Sequence, residues 1–430
     1  MFKWLARMFF SFYSYITRLC SLYTSIKRVL TSSVCSNSDI KDVTLCHWLR
    51  AVLLSFCCHN AGREGQQGLA CIAKILNMYV AGNIIEERPC KGQDSCPCDG
   101  HYQYNTNVIY NKTGCLVARY RKAHLYEKEL LRLDKPPTQE YVYFDTEYGR
   151  FGTEICFDIT FKQPGVDLVE KYGIDHLVFP TYWPNDLGFL FANMVQWSSG
   201  WARRMGVNFL AANVHNMSRY SYGSAISSPN AVLNSTYITG PSAGTLLTAD
   251  LDIPCAPKQK MLVQHDLPHN EVTNFQDQIT TSVYQVVKLA GFLFNTTVLT
   301  GEKGLLEVTS EQLLCQLSFE RSTTNETFLL AAYSGPSLFS THIEVCLLQK
   351  CLNPDPSSCN NRDNEWSRTS FPKLILRGRF RHNYVLPSIT GSFYQYTEID
   401  WDFHHVKDRN YIISKDKTTP MLTVSMLGVW

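Results

Sequence analysis

The pattern of apolar and polar positions changes near residue 285. Before this point, apolar strand-like runs alternate with segments of helical spacing, which predicts an α/β domain. The strand-like runs are residues 78–83, 116–120, 141–145, 150–156, 176–180 and 207–214, and the helical segments are residues 69–76, 166–172 and 186–205. After this point, apolar runs follow one another at fairly even spacing and turn residues separate them, which predicts an all-β domain.

These patterns predict four segments. They are a basic and hydrophobic segment at 1–60, an α/β domain at 61–255, a linker at 256–284 and a β-rich domain at 285–430. Residues 1–34 carry basic side chains and no acidic one, and their apolar run at 8–16 is too short for a membrane span, which needs about 20 residues. This segment is read either as a poor signal-peptide core or as a basic amphipathic helix that contacts a membrane surface.

The composition allows full-sized hydrophobic cores, because 45% of the residues are hydrophobic and 13% are aromatic. A formal net charge of +2 gives no bulk electrostatic reason to bind nucleic acid. The sequence has no glycine-rich phosphate loop. It also has no CxxC pair, so its cysteines do not show the spacing of a zinc site.

The chain contains 16 cysteines, which is high for a cytosolic enzyme of this length. Several cluster in segments that read as loops, at 90–98 and 346–359, and this favours disulfides in an oxidising compartment over scattered reduced thiols. Sequons for N-glycosylation point the same way. They begin at Asn111, Asn216, Asn234, Asn295 and Asn325. We therefore expect a secreted or cell-surface glycoprotein.

The best candidate for chemistry is Cys156, in the stretch RFGTEICFDITF at residues 150–161. The strand-like run stops at this cysteine, and a helical segment follows. A sharp turn of this kind exposes a sulfur atom and lets backbone N–H groups face a developing oxyanion. Taken alone, a cysteine in such a place is more often a buried structural residue than a nucleophile. Lys122, which follows the run 116–120, reads by itself as a solvated surface lysine.

Several blocks in a fixed order resemble the nitrilase (carbon–nitrogen hydrolase) superfamily, in its vanin and biotinidase branch. They are HYQYNTNVIY (101–110), LVARYRK (116–122), FGTEICFD (151–158), FPTYW (179–183), WARRMGVNFLAANVH (201–215) and GSAISSPN (223–230). The resemblance implies an α-β-β-α sandwich followed by a β-rich base domain. It also implies hydrolysis of linear amides such as pantetheine or biocytin, without a cofactor or metal.

In that superfamily a Glu–Lys–Cys triad carries the reaction. The resemblance makes Cys156 the nucleophile that forms a thioester and Lys122 the cation that holds the oxyanion and the leaving amine. Glu129 matches a supporting carboxylate, although its local sequence departs from the family. A neighbouring base or cation is needed because a free thiol is mostly protonated at neutral pH.

The resemblance also suggests residues that contact the substrate. The backbone N–H of Phe157 is a candidate oxyanion donor, and Tyr182 and Trp183 are candidate pocket walls that could equally be core residues. Trp197 and Trp201 lie four residues apart, on one face of a helical segment, which is typical of core positions.

The general-base glutamate of the family has no counterpart here. No glutamate precedes Glu64, and Glu64 lies in a stretch of loop composition that matches no catalytic motif. Residues 1–60 do not resemble the family and are read as non-homologous sequence, so the opening strands of the sandwich also lack a match. Two hypotheses follow: an active amidase whose sequence is incorrectly assembled or alternatively spliced, or a secreted, non-catalytic binding or interaction paralogue.

Overall fold

The fold is described from a computed structural model. It covers residues 5–7, 64–93, 95–183, 193–216, 218, 221–236, 244–253, 284–289, 291–337, 341–360, 366–392, 401–406, 409–416 and 418–429. The predictions for the N-terminal segment, apart from residues 5–7, and those for the linker lie outside these residues. The chain divides into a small unit, Arg7–Phe144, and a large unit, Asp145–Trp430 with Met1–Ala6.

The small unit is a helix on a three-stranded antiparallel sheet. It consists of α1 (Glu64–Leu76), β2 (Val80–Pro89), β3 (His101–Tyr110), β4 (Leu116–Arg121) and a 3₁₀ turn at Glu127–Leu131. The apolar side of α1 packs on the sheet, where Ala73, Val80, Val108 and Tyr110 form the buried cluster. The helix begins at Glu64, so the prediction of a loop at that residue is wrong.

The large unit begins with a mixed sheet whose strand order is β10-β9-β8-β7-β6-β5. The strands are β5 (Tyr143–Thr146), β6 (Gly149–Thr153), β7 (His176–Thr181), β8 (Asn208–Asn213), β9 (Ser224–Ser227) and β10 (Val232–Thr236). Strands β6, β7 and β8 are parallel, so each connection must cross over. Helices α2 (Gly165–Glu170) and α3 (Met194–Met205) make these crossovers. Two further short strands, β1 (Leu5–Arg7) and β11 (Thr248–Asp250), pair with each other.

Local sequence explains the bounds of α3. The side chain of Asn193 accepts the N–H of Gln196, which caps the first turn, and Gly206 ends the helix at a φ of 70°. Trp197 and Trp201 are both buried, as their spacing predicted.

The rest of the large unit is a two-sheet β sandwich. One sheet has the order β12-β13-β16-β17-β22-β19 and the other β14-β15-β18-β21-β20. The strands are β12 (Gln285–Leu289), β13 (Phe292–Val298), β14 (Lys303–Ser310), β15 (Leu313–Glu320), β16 (Phe328–Pro336), β17 (His342–Lys350), β18 (Lys373–Arg379), β19 (Tyr384–Gly391), β20 (Asp402–Val406), β21 (Asn410–Asp416) and β22 (Met421–Val429). The all-β prediction is therefore confirmed. The apolar runs at 305–308, 313–319, 328–333, 343–348, 373–377 and 421–427 correspond to β14 to β18 and β22, whereas β12, β13, β19, β20 and β21 were not predicted.

Helix α3 lies directly on β19. A Cβ atom at Gly200 would lie 2.7 Å from the carbonyl oxygen of Pro387, so only glycine allows this approach. The side-chain amide of Gln196 donates to the hydroxyls of Thr390 at 2.5 Å and Thr423 at 3.3 Å. Buried hydrogen bonds thus fix the position of α3 on the β sandwich.

Disulfides are present, as the cysteine clusters predicted. Cys90 pairs with Cys96, and Cys351 pairs with Cys359. Cys346 was expected in a loop, but it lies within β17 and pairs with Cys315 on β15, because strand residues of the two facing sheets meet in the core. Among the described residues, Cys98, Cys115 and Cys156 are free thiols.

No helix in the described part of the chain is long and apolar enough to cross a bilayer.

Candidate active site

Cys156 lies at a sharp turn beyond the end of β6. The sequence predicted a strand that reaches Cys156, but β6 ends at Thr153. Cys156 begins the 3₁₀ helix Cys156–Thr160 and adopts a φ of 48°, a left-handed conformation that is uncommon for a side chain other than glycine. The buried carboxylate of Asp158 accepts the N–H of Ile155 at 3.1 Å and braces the turn. Backbone outliers held this way are common at functional sites.

The Cys156 thiol faces the carbonyl oxygen of Tyr182, at an Sγ–O distance of 3.7 Å. Tyr182 follows β7, the parallel neighbour of β6, so both residues lie where parallel strands end. The crevice beyond the carboxyl ends of such strands is the usual ligand site of open α/β sheets. The Cys156 side chain is partly exposed, which a structural core cysteine would not be.

Asn213, the last residue of β8, holds the segment that carries Tyr182. Its Oδ1 accepts the Trp183 N–H at 2.8 Å, and its Nδ2 donates to the Trp183 carbonyl at 3.3 Å and to the Tyr222 carbonyl at 2.8 Å. Both sides of one amide therefore fix the backbone beside the thiol. Its place at the end of a predicted strand was the only sequence signal for this role.

The aromatic candidates divide between core and surface. The Phe157 ring is buried and packs edge-on against Phe161, so any substrate contact would come from its backbone. Tyr182 is 41% exposed. The Trp183 ring lies 5.5 Å from the ring of buried Trp197, measured between centroids.

Glu154 is a buried carboxyl that the sequence analysis did not single out. It lies two residues before Cys156, is fully buried, and neither oxygen has a side-chain hydrogen-bond partner. Burial, followed by the negative charge of Asp158, raises its pKa well above the usual glutamate value, against a smaller lowering by the Gly165 N–H. Glu154 therefore keeps its proton under conditions that ionise an exposed glutamate. The close approach also requires Gly165, because a Cβ there would lie 2.7 Å from Oε2.

In the small unit, Lys122 and Glu129 form a direct ion pair. Lys122 is only 2% exposed, so its reading as a solvated lysine is wrong. Glu129 Oε2 also accepts the Tyr126 N–H at 2.8 Å, and Oε1 accepts the side-chain amide of Asn105 at 2.6 Å. The structure thus brings together the two residues that the family resemblance selected here.

A second ion pair lies on the same sheet. Glu86 on β2 accepts hydrogen bonds from the Arg121 guanidinium, from Nε at 2.8 Å, and from the Thr106 hydroxyl at 3.1 Å. Burial alone would raise the pKa of Glu86, but hydrogen bonding and charge from Arg121 outweigh it and the pKa is lowered. Arg121 also covers the Tyr104 ring at 4.1 Å. Glu86 therefore stays ionised and committed to Arg121.

The sequon asparagines all lie in described positions. Asn325 is exposed. The side-chain oxygens of Asn111 and Asn216 accept hydrogen bonds from the sequon hydroxyls of Thr113 and Ser218, at 2.7 and 2.8 Å. Asn234 and Asn295 donate through Nδ2, the atom that would carry a glycan, to the backbone carbonyls of Thr248 and Thr309.

No group of three or more histidine, cysteine or acidic side chains in the described ranges is arranged to bind a metal.

Comparison with known proteins identifies two matching families. Residues 61–250 match the family described as carbon-nitrogen hydrolase, and residues 285–430 match the Vanin C-terminal domain. Pantetheine hydrolase VNN2 of Homo sapiens is 36% identical over 392 residues, covering 87% of this chain and 72% of that protein. Biotinidase of Homo sapiens is 30% identical over 404 residues, covering 85% and 71%. Among solved structures, Nit3 of Saccharomyces cerevisiae is similar at 21% identity, 49% and 73% coverage, and a TM-score of 0.37.

Proposed function

Since the chain belongs to the carbon–nitrogen hydrolase family, in its vanin and biotinidase branch, we propose that it hydrolyses linear amides through a cysteine thioester. Its relatives include pantetheinases and biotinidases, so the substrate class is an amide like pantetheine or biocytin. The observation that carries the proposal is the Cys156 turn, which presents a partly exposed thiol at the carboxyl ends of parallel strands.

The proposed reaction has two steps. The Cys156 sulfur bonds to the amide carbonyl carbon, the C–N bond breaks, and the leaving amine takes the thiol proton. Water then attacks the thioester, the S–C bond breaks, the carboxylic acid leaves and the thiol regains a proton. With pantetheine, the products would be cysteamine and pantothenate. Splitting a difficult hydrolysis into two easier transfers is the usual advantage of a covalent nucleophile.

We propose that Lys122 provides positive charge for the oxyanion and that Glu129 positions it. The near-complete burial of Lys122 supports this role, because a buried ammonium is costly unless a partner or a functional charge compensates it. The Phe157 N–H is the proposed backbone donor to the oxyanion. Such donors are typically worth a factor of about 10²–10³ in rate.

A second candidate function is binding without turnover. Two carboxylates of the small unit favour it, because each forms an ion pair and is not free to take a proton from the thiol. Glu86 pairs with Arg121, and Glu129 pairs with Lys122. Neither is the family's base by sequence position, and Glu64 begins a helix without any catalytic motif around it. An amidase without a general base loses a factor of about 10²–10⁴ in rate.

The test is release of amine from pantetheine and from biocytin by the full chain. Turnover that is lost in Cys156→Ala and kept in Cys115→Ala supports the amidase proposal, since Cys115 is an exposed free thiol. Saturable binding of either amide by both wild type and Cys156→Ala, with no release of amine, would favour the binding protein. Equal turnover by Cys156→Ala and wild type would reject Cys156 as the nucleophile.

We further propose that the protein is secreted or held at the cell surface. The disulfides and the sequons support this location. Membrane-surface contact through residues 1–34 remains part of this proposal, on the basis of their positive charge. Glycosylation at Asn325 is the first modification to look for, because that side chain is exposed.

A further inference from the structure

A cleft of about 680 Å³ opens at one end of the β sandwich, and none of the residues that line it is among those proposed for catalysis. The turn β14–β15, the connection β18–β19 and the residue directly before β21 form it, and they supply Glu311, Arg381 and Arg409. Its size falls within the range of about 300–1,000 Å³ that is usual for small-molecule sites. We propose that this cleft binds a small organic oxyanion, a phosphate or sulfate ester with an apolar body.

Positive charge in the cleft exceeds negative charge. Arg379, Arg381 and Arg409 line it, against Glu307 and Glu311. Arg379 is exposed and forms no ion pair with an acidic side chain in the described ranges. Guanidinium groups recognise phosphate and sulfate oxygens through paired N–H donors, so uncompensated arginines select an oxyanion over a neutral ligand.

Both acidic residues already have partners. Glu307 accepts the side-chain amide of Gln316 at 2.8 Å. Glu311 accepts the Ser334 hydroxyl at 3.1 Å and lies 3.8 Å from His342 Nε2. Its distance to Arg381 is 4.0 Å, so it neutralises that arginine only weakly. Arg379 and Arg409 form no ion pair with an acidic side chain in the described part of the sandwich, so these two arginines provide the charge that is available to a ligand.

The arginine-bearing backbone is fixed in place. Glu344 is fully buried on β17, and its Oε2 accepts the N–H groups of Arg381 at 2.7 Å and His382 at 3.3 Å. The Arg409 guanidinium donates to the Arg381 carbonyl at 2.9 Å, which joins two of the three segments. A fixed backbone lowers the cost of ordering these side chains around an anion.

The turn residues themselves are conformationally unusual. Glu311 has a φ of 51° and Arg409 a φ of 60°, and both line the cleft. Left-handed residues other than glycine often cluster at ligand sites. The cleft is also lined by Leu314, whose half-buried side chain would contact the apolar body of the ligand.

The test is calorimetric titration of the full chain with phenyl phosphate, phenyl sulfate and the neutral analogue phenol. We compare wild type with Arg379→Gln/Arg409→Gln and with Lys288→Gln/Lys303→Gln. The control removes the same charge from exposed positions of the same sandwich, and Lys303 lies at the opposite end of β14 from Glu311. Arg379→Gln alone changes an exposed side chain without an acidic partner and keeps the test valid if the double variant unfolds.

We expect saturable binding of one or both esters, weakened about tenfold or more in the arginine variants and unchanged in the lysine control, because a hydrogen bond to a charged group typically contributes that much. The ratio of the two ester affinities distinguishes a phosphate ligand from a sulfate ligand. Absence of ester binding by wild type would overturn the proposal. Equal loss in the arginine and lysine variants, or binding of phenol as tight as that of the esters, would overturn it too.

Discussion

The Cys156 thiol donates to the carbonyl oxygen of Tyr182 across 3.7 Å, and this contact defines the candidate nucleophile site in the large unit. It joins the turn after β6 to the end of β7. Asp158 braces the first segment from within the same turn, and Asn213 on β8 holds the second segment through Trp183.

Replacing Asn213 with alanine should slow hydrolysis without removing the thiol. The change frees the Trp183 backbone from two hydrogen bonds, and small displacements near a nucleophile can cost up to about 10²-fold in rate. We expect kcat/KM to fall about tenfold to hundredfold. Asn230→Ala, at an exposed turn position, is the matched control and should behave as wild type. Unchanged kinetics in Asn213→Ala would show that the hydrogen bonds of Asn213 to the Trp183 backbone (the Asn213 clamp) do not position the site.

Replacing Glu129 with glutamine should destabilise the protein. Lys122 would keep its charge in a buried site and lose its carboxylate, and breaking such a pair typically costs about 3–5 kcal/mol. Chemical denaturation measures the change. Glu87→Gln is the control, since its pair with His101 is exposed and worth at most about 1 kcal/mol.

A double variant separates stability from chemistry at this pair. Lys122→Met/Glu129→Gln removes both charges, so it should recover much of the stability that Glu129→Gln loses while remaining inactive on amides. If the double variant hydrolyses amides at the wild-type rate, Lys122 has no part in the reaction.

Replacing Glu154 with leucine should stabilise the protein, and more so at higher pH. The folded-state pKa of Glu154 is raised, so the folded chain holds a proton that the unfolded chain releases. Wild-type stability from this group is therefore complete below the usual glutamate pKa and is lost as pH rises toward the folded pKa. Removing the unpartnered carboxyl should add about 1–3 kcal/mol.

Thermal unfolding at several pH values checks the Glu154 prediction. The difference between variant and wild type should widen from acid to neutral pH. Glu302→Leu, at an exposed position of the same unit, should leave the pH dependence unchanged. A difference that does not vary with pH would mean that Glu154 does not change its ionisation on folding.

Removing the disulfide Cys315–Cys346 should cost more than removing Cys351–Cys359. The sequence separations are 31 and 8 residues, and the chain-entropy relation gives about 3.7 and about 2.5 kcal/mol. The first bond also joins the two sheets of the sandwich. Paired cysteine-to-alanine variants measured by denaturation test the order, and a larger loss from Cys351–Cys359 would contradict it.

The sequence predicted the α/β fold class and the family, and both are confirmed by the matched families. Alternation and spacing located most strands of the mixed sheet because their residues are buried in simple patterns. It missed β19, whose Pro387 argues against a central strand, and proline is tolerated there because β19 lies at a sheet edge. It missed β20 because its sequence, DFHHV, is largely polar.

The site was predicted only in part for a physical reason. Local sequence motifs indicated Cys156, Lys122 and Glu129. Contacts between residues that are far apart in the sequence leave no local pattern, so they could not be predicted. The Asn213 clamp and the burial of Glu154 are of this kind, since each depends on which strands become neighbours. A glutamate inside an otherwise apolar run was the one available signal for Glu154.

The most direct test of the amidase proposal is detection of the acyl-enzyme. The full chain is mixed with pantetheine, quenched in acid within the first turnovers and analysed by peptide mass spectrometry. We expect a pantothenoyl thioester on the peptide that contains Cys156, with none on the Cys98 or Cys115 peptides and none in Cys156→Ala. Amine release without any adduct at Cys156, or an adduct confined to another cysteine, would contradict it.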